Sequence, residues 1–227
     1  MNKHFTLAHL DSSIVVEPPV KATSAVIWLH GLGADGHDFE SILPQLNLPK
    51  NHGIRFIFPH APVQPVTING GMTMRSWYDI FSMSIDEKVD VEGINQSANI
   101  VKELIEQQIA CGIATEKIVL AGFSQGGLVV LQCALHYSLP LGGVLALSTY
   151  YPAVCKQQKV TDNKTMPIFM AHGTFDPVIP LTVAQKSKTF IESLEFNVQW
   201  QTYPMEHSVC MPEIEAIAKW LTEQLDL

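Results

Sequence analysis

The sequence predicts a single α/β domain, spanning residues 1–227, in which helices flank a mostly parallel sheet. Short apolar runs alternate along the chain with segments of helical periodicity, as expected for strand–helix units. Five of these apolar runs, from Ser24–Leu29 to Ile168–Ala171, show no alternation between apolar and polar residues. Such continuous apolar character is typical of parallel strands covered on both faces. No repeat, low-complexity tract or linker interrupts the 227 residues, a length that suits one domain.

Six segments are predicted strands of the main sheet. They are Ser24–Leu29, Arg55–Phe58, Ile118–Ala121, Gly143–Leu147, Ile168–Ala171 and Val198–Tyr203. A more alternating stretch near Phe5–Val16 predicts an antiparallel hairpin at one edge.

Four helices are predicted between and after these strands. They cover Ile94–Ile109, Leu128–Tyr137, Val183–Leu194 and Ile214–Leu225, the last begun by Pro212. The second is apolar almost all round, so we expect it to be buried. In open α/β sheets, function gathers in the loops that leave the carboxyl ends of the strands. Catalytic residues are therefore expected in those loops.

Composition excludes several classes of function. A formal net charge of -8 and the lack of any Lys/Arg-rich block argue against a nucleic-acid partner. The four cysteines (Cys111, Cys133, Cys155 and Cys210) lie far apart and show neither zinc-site nor disulfide-scaffold spacing. The amino-terminal residues lack a signal-peptide core, and the apolar runs are far shorter than the roughly 20 residues of a membrane span. The sequence predicts a cytoplasmic protein.

The loop after Ile118–Ala121 reads Gly-Phe-Ser-Gln-Gly, with Ser124 at its centre. Glycines two positions before and after the serine remove side chains where a strand and a helix crowd together. The turn is then sharp enough to present the hydroxyl above the sheet. A glycine-rich turn with an incidental serine is the alternative, but placement between a buried strand and a buried helix favours a nucleophile.

A serine hydroxyl needs a base, and the base needs an acid to orient it. Among the nine histidines, His207 lies just beyond the last strand, whereas His30 and His172 are interpreted as wall residues. Asp176 follows the strand that ends in His172, although a turn aspartate is also common at such a place. The order Ser124, Asp176, His207 is the order of α/β-hydrolase triads.

An oxyanion requires a pair of N–H donors. The residue after the serine, Gln125, is predicted to supply one backbone N–H. The loop His30-Gly31-Leu32-Gly33 follows the first buried strand, and its glycines allow close approach to a substrate. We expect the N–H of Leu32 to be the second donor.

Several segments together resemble the phospholipase/carboxylesterase family, which includes bacterial carboxylesterases and acyl-protein thioesterases. They read HGLGADGHDF, FPHAPVQPVTINGGMTMRSWYDI, GFSQGG, LSTYYP, HGTFDPVIP and YPMEHSVC, in the family's order from about residue 23 onward. The resemblance implies an α/β-hydrolase fold without a large cap domain. It also implies a Ser124–His207–Asp176 triad, oxyanion donors at Leu32 and Gln125, no metal or cofactor, and dimers in some members. Departures at Leu128 and Met211-Pro212 touch no triad position.

The segment 63–91 lacks a strong strand or helix period and is unusually apolar, which predicts a binding loop. Ile80, Phe81, Met83 and Ile85 are predicted to form a mobile flap that lines an acyl groove, touches a membrane surface, or does both. Core packing is the alternative, and for Trp77 and Tyr78 it is the favoured one. The residues predicted to bind substrate are Met72, Trp77, Phe81, Met83 and Val178.

The sequence therefore predicts a serine hydrolase that cleaves carboxylic esters with short to medium acyl chains through an acyl-enzyme. The alternative is an acyl-protein thioesterase or lysophospholipase that acts on long-chain acyl groups at a membrane surface. A non-catalytic lipid-binding module is a remote alternative. The expected partner is a small-molecule or lipid ester, with a homodimer as a further possibility.

Overall fold

The computed structural model describes residues 13–82, 88–156 and 160–227. Nine strands occur in this part of the chain. They are β1 (Ile14–Val16), β2 (Ser24–Leu29), β3 (Ile54–Phe58), β4 (Val63–Val66), β5 (Met72–Arg75), β6 (Ile118–Phe123), β7 (Gly143–Leu147), β8 (Ile168–Gly173) and β9 (Val198–Tyr203). Seven of them form one sheet in the order β1-β3-β2-β6-β7-β8-β9. Only the edge pair β1–β3 is antiparallel among these seven described strands.

Five α-helices cover the two faces of the sheet in the described residues. They are α1 (His37–Glu40), α2 (Val91–Ala110), α3 (Gln125–His136), α4 (Leu181–Ser193) and α5 (Met211–Leu225). Helices α2, α3 and α4 contribute to the apolar cluster on one face. Helices α1 and α5 contribute to the cluster on the other face. The α/β-hydrolase architecture with a mostly parallel sheet is thereby confirmed.

The strand predictions hold for all six core strands, with small extensions at their ends. Strand β6 continues to Phe123 and β8 to Gly173, so both reach the residues that precede functional loops. In the described part of the edge prediction near Phe5–Val16, Ile14–Val16 is an antiparallel strand at the edge of the described sheet and pairs with β3. Residues 1–12 of that prediction lie outside the described part of the chain.

The segment 63–91 was expected to be irregular, and this expectation is wrong for its first half. Strands β4 and β5 form a separate antiparallel pair in which Val63 lies opposite Arg75 and Val66 opposite Met72. Gly70 and Gly71 reverse the chain with φ values of 67° and 77°, a region that glycine adopts without strain. Each strand has only four residues, and β4 contains Pro65, which hides the strand period in the sequence.

Within the described residues, no helix combines the length and the apolar character needed to cross a membrane. The four cysteines are free thiols, with Cys133 and Cys155 buried. Burial raises the pKa of each of these two thiols to about 12.

Candidate active site

Ser124 occupies the sharp turn between the end of β6 and the start of α3. Its backbone has φ 54° and ψ −118°, a conformation that L-residues rarely adopt. A Cβ atom on Gly122 would lie 2.4 Å from the carbonyl oxygen of Gly126, and one on Gly126 would lie 2.6 Å from that of His30. The two glycines of the motif are therefore required by close backbone contacts.

His207 lies between Ser124 and Asp176 and contacts both. Its Nε2 is 2.9 Å from the Ser124 Oγ. Its Nδ1 is 2.7 Å from Asp176 Oδ2, which as a carboxylate oxygen accepts the Nδ1 proton. That bond leaves the Nε2 lone pair facing the serine hydroxyl. The side chains at the carboxyl ends of β6, β8 and β9 thus meet in one hydrogen-bonded chain.

The Asp176 side chain is fully buried and is held by the loop that follows it. Its Oδ1 accepts hydrogen bonds from the backbone N–H groups of Val178 (2.8 Å) and Ile179 (2.9 Å). His172 Nε2 lies 3.4 Å from Oδ2 and donates to the carbonyl oxygen of Ile179 at 2.8 Å. Burial lowers the pKa of His172, so it remains a neutral donor beside the carboxylate.

The loop after β2 is held in place by His30 and by the second, two-stranded sheet. The buried His30 ring donates from Nδ1 to the carbonyl oxygen of Gly31 (2.7 Å) and accepts at Nε2 from the N–H of Ala61 (3.0 Å). Burial lowers the pKa of His30 to about 4, which keeps this ring neutral. Gly33 N–H donates to the carbonyl oxygen of Arg75 in β5 at 2.9 Å. His30 therefore holds the loop in place through backbone contacts, and it is not among the described residues that line the active-site cavity.

Gln125 joins the start of α3 to the segment that follows β5. Its buried side chain accepts from Trp77 N–H (2.8 Å) and donates to Ser76 Oγ (2.9 Å) and to the carbonyl oxygen of Tyr78 (2.7 Å). As the first residue of α3, it carries one of the backbone N–H groups that have no partner within the helix.

A cavity of about 370 Å³ opens above Ser124 and His207. Most of its walls are apolar or aromatic, and two tyrosines on one side, Tyr78 and Tyr150, have their hydroxyl oxygens 3.3 Å apart. The described residues that line it are Gly31, Leu32, Ala34, Asp38, Tyr78, Ile80, Ser82, Phe123, Ser124, Gln125, Tyr150, Val178, Ile179 and His207. A hydroxyl, an oriented imidazole and a buried carboxylate beside an apolar cavity are the groups that acyl transfer requires.

Comparison with known proteins agrees with this geometry. The model of the family described as phospholipase/carboxylesterase matches residues 10–225. The chain belongs to this family. It is accordingly a serine hydrolase and an ester-hydrolysing enzyme, not the non-catalytic lipid-binding module that the sequence left open.

Similar proteins of this family include thioesterases. Acyl-protein thioesterase 1 of Neurospora crassa is 37% identical over 223 residues, which cover 93% of this chain and 91% of that protein. Acyl-protein thioesterase 1 of Yarrowia lipolytica is 39% identical over 220 residues, covering 92% and 96%. Among solved structures, Zea mays acyl-protein thioesterase 2 superposes with a TM-score of 0.81 at 27% identity, covering 94% of this chain and 98% of that one. A variant of Arabidopsis thaliana SOBER1 gives a TM-score of 0.83 at 31% identity, covering 89% and 100%.

Among the predicted substrate-binding residues, only some line the cavity in the described part of the chain. Val178 lines the cavity. Met72 does not, because it lies on β5 with 64% of its surface exposed. Trp77 is buried in the core and donates from Nε1 to the carbonyl oxygen of His30, so its role is structural. Phe81 is not among the described lining residues and contacts Lys88, while Met83 lies outside the described part of the chain.

Several residues of the cavity wall were missed by sequence reasoning. Asp38, Phe123 and Tyr150 line the cavity although no periodicity singles them out. Phe123 is the residue before the serine, and its ring packs 4.8 Å from that of His207. Tyr150 follows β7, whose carboxyl end lies between those of β6 and β8. The sheet order would have pointed to Tyr150, but that order becomes available only with the structure.

Proposed function

We propose that Ser124, His207 and Asp176 catalyse acyl transfer to water. The observation that carries the proposal is the chain of two hydrogen bonds, 2.9 Å and 2.7 Å long, that joins the serine, imidazole and carboxylate groups beside the cavity. His207 Nε2 removes the Ser124 proton as the hydroxyl oxygen attacks the acyl carbonyl carbon. Asp176 holds the imidazole tautomer and stabilises the imidazolium that forms.

The tetrahedral intermediate then collapses, and the bond between the acyl carbon and the leaving oxygen or sulfur breaks. His207 returns its proton to that leaving atom, and the acyl group remains on Ser124. A water molecule, deprotonated by the same imidazole, attacks the acyl carbon; the bond from that carbon to Ser124 Oγ then breaks, His207 returns the proton to Oγ, and the carboxylic acid is released. The backbone N–H groups of Leu32 and Gln125 are the proposed donors to the developing oxyanion.

The proposed substrates are esters and thioesters with short to medium acyl chains. A cavity of about 370 Å³ lies near the lower end of the roughly 300–1,000 Å³ typical of small-molecule sites. Its walls of Ile80, Val178 and Ile179 favour an apolar acyl group over a charged one. The same catalytic groups serve an alcohol or a thiol leaving group.

A second candidate is removal of long acyl chains from proteins at a membrane surface. It is favoured by the relatives at 37% and 39% identity, whose names are acyl-protein thioesterase 1. On this proposal, a long chain extends beyond the cavity along the segment that carries Ile80 and Phe81.

Purified protein would be assayed on oxoesters and thioesters of rising acyl length, with kcat/KM as the readout. The first candidate requires a maximum at short to medium chains, whereas a maximum at palmitoyl thioester would favour the second. Ser124→Ala is expected to lower kcat by about 10³-fold or more on every substrate. Normal turnover by that variant would refute the proposed mechanism.

A further inference from the structure

One wall of the active-site cavity carries a negative charge that the proposed chemistry does not use. Asp38, in the short helix α1, lines the same cavity as Ser124 and His207. None of the other described lining residues is an aspartate, glutamate, lysine or arginine. Asp38 is solvent-exposed, so its carboxylate stays in contact with water and is ionised at neutral pH.

The surroundings of Asp38 leave this charge uncompensated. No described residue donates a hydrogen bond to its carboxylate, whereas Asp35 Oδ1 accepts the N–H of His37 at 2.8 Å. The imidazole of His37 pairs instead with Glu40, at 2.9 Å. Although the residue as a whole is exposed, partial desolvation of its carboxyl group and the like charge of Asp35 both raise the pKa of Asp38.

Packing connects the helix that carries Asp38 to the catalytic histidine. The residue that follows it, Phe39, packs its ring 5.5 Å from that of Phe123. Phe123 in turn lies 4.8 Å from the ring of His207, the group that hands a proton to the leaving atom. Tyr78, Tyr150 and Ile80 form another part of the wall, and these three residues carry no charge.

We propose that Asp38 makes the enzyme select its substrates by the charge of the leaving group, favouring a cationic alcohol or thiol over neutral and anionic ones. The inference rests on the proposed function, because it assigns the leaving group of that same reaction. It names a substrate class, cationic esters and thioesters, that an apolar acyl pocket alone does not specify.

The expected size of the charge effect on kcat/KM follows from Coulomb's law for charges near a protein surface. Two unit charges several ångströms apart near a protein surface attract enough to change kcat/KM about five- to ten-fold. Since salt shortens the Debye length to about 3 Å at 1 M, the preference should nearly vanish at that concentration. A preference that came only from shape or apolar contact would survive high salt.

The test compares three butyryl thioesters that differ in the leaving group. The cationic substrate is butyrylthiocholine, and the neutral one is its isostere with a tert-butyl group in place of trimethylammonium. The anionic substrate is S-butyryl mercaptopropionate, whose leaving thiol carries a carboxylate. The wild-type protein is expected to give a cationic-to-neutral ratio of kcat/KM of about five or more at low salt. Asp38→Asn should bring this ratio close to one, and Glu40→Gln, the same charge change in the same helix outside the cavity, should leave it unchanged.

The ratio is measured on one enzyme sample, so a partly misfolded variant does not distort it. A wild-type ratio of one or below overturns the inference, and so does an equal ratio in wild type and Asp38→Asn. Charge selection that appears only when the charge is placed on the acyl group would also overturn it. If the neutral thioester is not hydrolysed, or is hydrolysed equally by Ser124→Ala, the proposed function itself fails.

Discussion

Glu213 places a carboxyl group in the interior, in the first turn of α5. The residue has 0% of its surface exposed, and neither carboxyl oxygen makes a hydrogen bond of ordinary geometry to a described residue. Burial raises the pKa of Glu213 to about 8, with the backbone N–H of Cys210 opposing part of the shift. The folded protein therefore holds this side chain protonated and neutral at pH 7.

This pKa makes stability fall as the pH rises. The unfolded chain ionises Glu213 near pH 4.5, whereas the folded protein keeps the proton until about pH 8. Between these values the unfolded state binds fewer protons, so the free energy of unfolding decreases with pH; below them the effect disappears. Glu213→Gln should remove this dependence and stabilise the protein by about 1–3 kcal/mol at pH 7, with little gain at pH 4.5.

Urea denaturation of wild type and Glu213→Gln across pH 4.5 to 8.5 would measure this difference. Glu215→Gln, which changes an exposed carboxylate of the same helix, is the matched control. Parallel stability profiles for wild type and Glu213→Gln would contradict the prediction.

The catalytic residues could be predicted from the sequence, whereas the roles of Asp38 and Glu213 could not, and the difference has a physical reason. Ser124, Asp176 and His207 follow strand ends, and parallel strands bring their carboxyl ends to one edge of the sheet. Asp38 and Glu213 lie within helices, where their environment depends on what the helix packs against. That information is not present in local spacing.

At the scale of elements, the start of α3 is joined to the residues after β5 by one side chain. Gln125 makes its three hydrogen bonds, with Ser76, Trp77 and Tyr78, entirely within buried surroundings. Tyr78 lines the cavity, so the same residue that carries a proposed oxyanion donor also positions part of the cavity wall.

Gln125→Met keeps the approximate size of the side chain but removes its polar atoms. The N–H of Trp77 would then be buried without its partner, and such a group costs about 1–3 kcal/mol. Together with the lost bonds to Ser76 and Tyr78, we expect the free energy of unfolding to fall by about 2–4 kcal/mol. Chemical denaturation would measure this loss, with Gln185→Met on the exposed side of α4 as the control. A loss equal to that of the control would count against the role of Gln125.

The pair β4–β5 shows where element prediction fails. A signal was present, since Asn69-Gly70-Gly71 is a turn sequence between two short segments with β-branched residues. Four-residue strands with exposed Val63 and Met72 do not show the in/out alternation that marks a half-buried strand. The core strands were easier to find because burial on both faces makes them continuously apolar.

At the scale of the whole molecule, the charge of -8 bears on the predicted contact with membranes. Large apolar side chains, including Val63, Met72 and Phe175, are exposed on the surface. Phe81 lies close to Lys88, whose Nζ is 4.4 Å from the ring centre. If the segment 63–91 contacts a lipid surface, the excess negative charge should disfavour anionic headgroups.

We therefore expect more protein to co-sediment with phosphatidylcholine vesicles than with vesicles rich in phosphatidylserine. Phe81→Ser should lower the bound fraction, because it removes an aromatic side chain from the contact. Equal binding by wild type and Phe81→Ser would refute the membrane role. The homodimer also stays a prediction, which sedimentation equilibrium would test.

The overall architecture was the feature that the sequence predicted best. Alternation of strands and helices along the chain leads to a parallel sheet with helices on both faces, and few other arrangements bury such strands. The spatial order of the strands could not be predicted in the same way. Strand β3 lies between β1 and β2, and this order follows from long-range packing rather than from the order along the chain. The walls of the cavity depend on that order and were predicted only in part.

The strained backbone of Ser124 sets activity against stability during evolution. With φ 54° and ψ −118°, this position lies in the mirror image of the extended region, where glycine fits and other residues are strained by about 1–3 kcal/mol. The free energy of unfolding of Ser124→Gly should therefore exceed that of Ser124→Ala by about 1 kcal/mol, even though both variants lack the hydroxyl. Ser124→Gly should accordingly have the higher urea midpoint. Similar midpoints for the two would show that the turn is relaxed. A chain selected for stability alone would lose its serine here, so activity and stability are opposed at this residue.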